Sequence, residues 1–145
     1  MSRFESEEQF KQVIEQIFQL MNDHPEVGPR LKRARAPHRF EFTDYGLQFD
    51  VTYTSDDEAE AGRHLKWTWN GAGCDWEPMI LLKMPSDVAN RYFQGKEKIA
   101  MAVATGRIKV RGPLPKLLEL GPITKPVHAV YRDWLEDEGH DHLLS

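Results

Sequence analysis

The stretch "FQGKEKIAMAVATGRIKVRGPLPKLLEL", Phe93 to Leu120, decides the fold. Gly95 closes one helical pattern. "KEKIAMAVATG" reads as a second helix, expected from Lys96 to Thr105, with Gly106 as its stop. The apolar period then shortens to two. Ile108 and Val110 fall on one side of a short strand expected over Arg107–Arg111, and Arg107, Lys109 and Arg111 fall on the other. Gly112 and Pro113 break that strand, and "LPKLLEL" follows as a short apolar helix.

Upstream, Phe10, Val13, Ile14, Ile17 and Met21 recur at helical spacing from Ser6 to about Asp23. Ser6 and Gln9 are placed for a capping box, and Pro25 and Gly28 end the pattern. "RLKRARAPHR" (Arg30–Arg39) reads as a charged loop. Phe40 and Phe42, the turn "TDYG", then Leu47, Phe49, Val51 and Tyr53 make a hairpin with one greasy face. "SDDEAEAG" reads as an acidic loop. Leu65, Trp67 and Trp69 mark a third strand, and "NGAG" turns the chain. "PMILLKM" is apolar on both sides, as expected for a strand inside a sheet. Ser86 is placed to cap a helix that buries Val88, Ala89, Tyr92 and Phe93. Downstream, Thr124 and Pro126 start a separate last helix, about 125–138, striped by Val127, Val130, Tyr131, Trp134 and Leu135. Residues 139–145 read as a frayed polar tail. This order, a sheet with helices gathered on one face, implies an α+β class and one domain over 1–145.

Composition narrows the function. The net charge is −4 and the pI about 5.9, which argues against nucleic acid, whose binding rests on neutralising phosphates. Cys74 stands alone, so no internal disulfide forms. "MSRFESEEQF" has no apolar signal core, and no apolar run approaches a membrane span, so the expected place is the cytoplasm. Cys74 in "GAGCDW" reads as a turn residue rather than a nucleophile. Asp137, Glu138, His140, Asp141 and His142 lie in the tail and read as polar surface rather than a metal site. "GAG" lacks the spacing and the following helix of a dinucleotide loop. Asp56 and Glu58 read as a solvated loop. No catalytic residue, metal or cofactor is expected.

The Phe93–Leu120 stretch resembles the signature of the sterol-carrier-protein-2 lipid-transfer family. Gly95, Lys96, Ala102, Gly106, Ile108, Lys109, Val110 and Gly112 are the matching positions, and the likeness extends over roughly 10–120. It implies a five-stranded, mostly antiparallel sheet covered by helices, with an apolar tunnel for sterols, fatty acids, acyl-CoA or phospholipids. The family also includes stand-alone bacterial accessory factors of lipid or quinone metabolism.

The resemblance and the apolar pattern give an expected ligand-binding set. It comprises Trp67, Trp69, Ile80, Leu82, Met84 and Phe93, then Ile99, Ala100, Val103, Ala104, Leu117 and Leu118. Small residues at Ala100 and Ala104 serve either close packing or a ligand. Arg107, Lys109 and Arg111 serve either as a solvated strand face or as a contact for an anionic headgroup or membrane. The expected function is non-enzymatic lipid binding and transfer. The alternative is an accessory module with a filled core that docks on an enzyme of lipid or quinone metabolism.

Overall fold

Strands of alternating polarity pair so that one side of the sheet is apolar and the other polar. The structure, a computed structural model, describes residues 2–145. Its sheet contains β1 (His38–Phe42), β2 (Leu47–Tyr53), β3 (Leu65–Trp69), β4 (Ile80–Met84) and β5 (Lys109–Arg111), in spatial order β3-β2-β1-β4-β5. The β1–β4 pair is parallel; the other three pairings are antiparallel. Phe49 stands opposite Trp69 and Phe40, and Phe40 and Val110 flank Leu82, so one apolar row crosses the whole sheet. The α+β, mostly antiparallel architecture read from the sequence is the one observed.

The apolar side is covered by α1 (Glu7–Asp23), α2 (Val27–Ala34), α4 (Ser86–Phe93), α5 (Ile99–Ala104) and α6 (Leu114–Asp137), while α3 (Asp56–Glu60) is a short surface turn. α1 buries Phe10, Val13, Ile14, Ile17, Phe18 and Met21. Ser6 accepts the Gln9 N–H at 3.0 Å, but the Gln9 side chain reaches back to the Glu5 N–H at 2.8 Å, one residue before the cap. The polar side is partly closed by the Asn70–Met79 connection, which returns the chain from edge strand β3 to interior strand β4. Lys66 Nζ lies 5.3 Å from the Trp76 ring, and the Met79 N–H bonds the Pro37 carbonyl at 2.8 Å. Beneath it Asp50, fully buried, accepts from Arg39 Nε and from Gln48 Nε2, each at 2.8 Å.

Five local readings are corrected. The basic stretch Arg30–Arg39 is not a loop throughout: its first half belongs to α2, where Val27, Leu31 and Ala34 share a buried face and Pro29 sits in the first turn. "SDDEAEAG" contains α3, held by a reciprocal Ser55–Glu58 capping box. Ser86 is not the cap of α4. Pro85 holds that position, and the free N–H and hydroxyl of Ser86 both donate to the Asp44 carboxylate, at 2.9 and 2.5 Å. The strand begins at Lys109, because the N–H groups of Arg107 and Ile108 still bond the Ala102 carbonyl at the end of α5. The two expected terminal helices are one, α6, with Pro122 and Pro126 inside it. Both prolines face solvent, so the carbonyls they leave without a donor are on the side open to water.

The tail does not fray either. A 3₁₀ turn, Asp141–Leu143, docks on α4 and α6, with Leu143 fully buried. The Leu143 carbonyl accepts from Asn90 Nδ2 and Gln94 Nε2, each at 2.8 Å, and Gln94 Oε1 accepts the Ser145 N–H at 3.0 Å. The Tyr131 hydroxyl donates to Asn90 Oδ1 at 2.7 Å, and burial pushes its phenol well above the ordinary value.

Candidate functional site: an apolar cavity between sheet and helices

The two layers leave one apolar cavity of about 40 Å³. Its floor is the apolar side of the sheet: Phe40, Val51, Leu65, Leu82 and Met84. α1 and α2 supply Phe18, Met21 and Leu31, and Ala36 lies beside them. Tyr92, Phe93, Ile99, Leu117, Leu120 and Thr124 form the roof. Phe18 organises the aromatic wall, with ring centroids 5.1 Å from Phe49, 5.7 Å from Phe93 and 5.9 Å from Phe40. The volume holds a water molecule and is far below the roughly 300–1,000 Å³ of ligand pockets.

No Lys, Arg, Asp or Glu lines the cavity. Its polar groups are His38, Thr52, Tyr53, Tyr92 and Thr124. Burial lowers the His38 pKa, against the opposing pull of its 2.9 Å hydrogen bond to the Ala36 carbonyl and of Asp50. Burial raises the Tyr92 phenol, opposed by a hydrogen bond with Thr124. At neutral pH the wall therefore offers a neutral imidazole and a protonated phenol.

A pH dependence follows. The unfolded chain takes up a proton on His38 near 6.5, and the folded chain does so only at lower pH. Stability is thus present above about 6.5 and is lost as pH falls through that value, until the folded value is reached. His128, whose pKa is lowered by burial and by Arg132 and Lys125, acts in the same direction. Thermal melts across this range should show the loss, and His38→Phe should reduce its slope. An unchanged slope would place the imidazole in contact with water.

Of the expected ligand set, Leu82, Met84, Phe93, Ile99 and Leu117 come together in the lining. Ile80 is buried in the core beside it. Trp67 and Trp69 pack at the β3 edge, their rings 6.2 Å from Phe18 and 4.6 Å from Phe49 respectively. Val103 is half-buried against the core. Ala100, Ala104 and Leu118 face outward instead of inward: on α5 only Ala102 is buried, and the inner stripe of α6 runs through Leu117 and Leu120. The sequence reading missed the contributions of Phe18, Phe40, Val51, Leu65 and Leu120, although helical spacing or strand alternation marked each as inward.

The three cations separate. Arg107 Nε donates to Glu97 Oε1 at 2.6 Å, and the nearly buried Glu97 also accepts Arg91 Nε at 3.2 Å. Lys109 and Arg111 stand on the polar side of the sheet, opposite Lys83 and Leu81. Cys74 Sγ lies 3.4 Å from the Trp76 carbonyl oxygen.

A five-stranded sheet in this order, with one parallel pair and a helical cover on one side, superposes on known structures. Sterol carrier protein 2 from Yarrowia lipolytica matches with a TM-score of 0.57 over 80% of this chain and 89% of that one, at 17% identity. The fold is that of the sterol carrier protein 2 domains. A ubiquinone synthesis protein, UbiJ-SCP2, matches with a TM-score of 0.56 over 81% of this chain and 89% of that one, at 10% identity. Part of the sec-alkylsulfatase Pisa1 from Pseudomonas sp. also superposes on this chain, with a TM-score of 0.53 and 14% identity. The match covers 66% of this chain, which spans only 14% of the sulfatase. No family model and no curated relative matches the sequence. No helix among the described residues is long and apolar enough to cross a membrane.

Proposed function

We propose that the chain, as one domain over 1–145, binds a lipid between sheet and helices and transfers it without catalysis, in the cytoplasm. The observation that carries this reading is the lining: eighteen residues, none with a charged side chain at neutral pH, beneath a thin roof. At about 40 Å³ the cavity admits a lipid only if the roof moves. α5 is the element suited to move, since it is six residues long and buries only Ala102. Segments with so little buried surface open at low cost. Affinity then comes from burying chain or ring carbons, about 0.8 kcal/mol per methylene before the cost of association.

The lining also selects. A carboxylate or phosphate drawn inside would lose its water with no cation to replace it. Tyr92, Thr124 and neutral His38 suit a hydroxyl or carbonyl end instead, so a sterol should bind more tightly than a fatty acid. Any charged headgroup stays at the roof.

The second reading, an accessory module of lipid or quinone metabolism, is favoured by the small volume. A fluorescent sterol and a fluorescent fatty acid titrated into the protein separate the two. Saturable binding, tighter for the sterol and weakened about tenfold by filling the wall with Ala36→Leu, is the expected result. No saturable binding at micromolar probe would contradict the carrier reading and favour the accessory one.

A further inference from the structure

α6 is apolar on both sides. Its inner stripe is buried, yet the exposed residues over its first half are Leu114, Pro115, Leu118, Glu119, Pro122, Lys125 and Pro126. Leu114 is 40% exposed and Leu118 41%, and Met101 on neighbouring α5 is 58% exposed. Single exposed leucines need no explanation. Here four of the five large exposed hydrophobic residues among the described ones fall on α5 and α6, three of them (Met101, Leu114 and Leu118) on α5 and the first half of α6, whose inner residues Ile99, Leu117 and Leu120 roof the cavity.

Charge is unevenly placed as well. Residues 96–125 hold seven Lys or Arg against two Glu, a net +5, while the rest of the chain holds twelve against twenty-one, a net −9. Lys96 and Lys98 are exposed just before α5, and Lys125 is exposed on α6. Of these cations Lys96, Lys98 and Lys125 stand exposed on this side against Glu119, so a second copy seated here would bring like charge against like charge. An anionic bilayer offers both what the apolar side chains need and the complementary charge.

We infer that the outer side of α5 and the first half of α6 docks on an anionic lipid bilayer, with Met101, Leu114 and Leu118 entering the interface and Lys96, Lys98 and Lys125 facing its headgroups. The acidic remainder of the molecule is repelled by the same surface, which fixes the orientation. The roof of the cavity then lies against the membrane. This docking does not depend on what the cavity holds.

The test is co-flotation of the full chain with phosphatidylcholine vesicles, with and without phosphatidylglycerol. Binding should require the anionic lipid at low salt. Lys96→Gln, Lys98→Gln and Lys125→Gln together should weaken it by on the order of tenfold or more, and the difference should shrink as salt rises. Met101→Asp with Leu118→Asp should weaken it about tenfold at any salt. All five positions are exposed, so melting temperatures should be unchanged. Protein left behind by the anionic vesicles, or variants that float like the parent, would overturn the inference. So would a dimer in sedimentation that Met101→Asp with Leu118→Asp dissolves, because the face would then belong to a second copy.

Discussion

Arg39→Ala is expected to destabilise the protein by about 3–5 kcal/mol, as expected when one partner of a buried ion pair is removed. The Asp50 side chain is 0% exposed and sits on β2 directly opposite Arg39 on β1. Its carboxylate oxygens are held by Arg39 Nε and Gln48 Nε2, with the Asn70–Met79 connection running across that side of the sheet. Truncating Arg39 leaves a carboxylate cut off from water with one amide for company. For a chain of this length the melting temperature should fall by on the order of 10 °C. Arg39→Ala combined with Asp50→Asn should recover most of the loss, since the stranded charge is gone. A single variant within about 1 kcal/mol of the parent would mean that the connection leaves Asp50 hydrated.

Phe18→Ala should have an effect of similar size on stability, and should also strengthen binding. Phe18 packs against Phe40, Phe49, Trp67 and Phe93 and also lines the cavity. Removing a buried phenyl ring costs about 3–5 kcal/mol, because its neighbours relax only partly into the space. That same space enlarges the cavity next to the α4–α6 roof. A sterol should therefore raise the melting temperature of Phe18→Ala more than that of the parent, by up to about 2.7 kcal/mol of stabilisation at a hundred times its Kd. A sterol that leaves both melting temperatures unmoved would remove the cavity from the account.

Much of this architecture is legible in the sequence, for a physical reason. A half-buried strand must alternate, so Phe40, Phe42, Leu47, Phe49 and Val51 declare both their strands and their inward side. The helices misread were those where a local signal outweighed the period. Thr124 and Pro126 read as a helix start, yet Leu117, Leu120, Ile123, Val127, Tyr131 and Leu135 keep an unbroken buried stripe through Pro122 and Pro126. The density of Lys and Arg hid Val27, Leu31 and Ala34 in α2. The docked tail was illegible locally, because its polar residues carry no periodicity and its anchor is the Leu143 carbonyl held by Asn90 and Gln94, far away in the chain. The cavity was half legible. Strand residues such as Leu82 and Met84 followed from alternation, but the rotation of six-residue α5, which buries Ala102 rather than Ala100 or Ala104, is set by contacts too few to leave a pattern.

The central claim is that a lipid occupies the space between sheet and roof. Its most direct test is methyl NMR of the labelled protein during titration with a neutral sterol. The account predicts saturable shifts concentrated on the methyl groups of Met84, Leu82, Ile99, Leu117 and Leu120, with Leu135 and Leu143, buried elsewhere, little changed. Shifts confined to exposed methyl groups such as Met101 and Leu118, or no saturable shift at all, would contradict it.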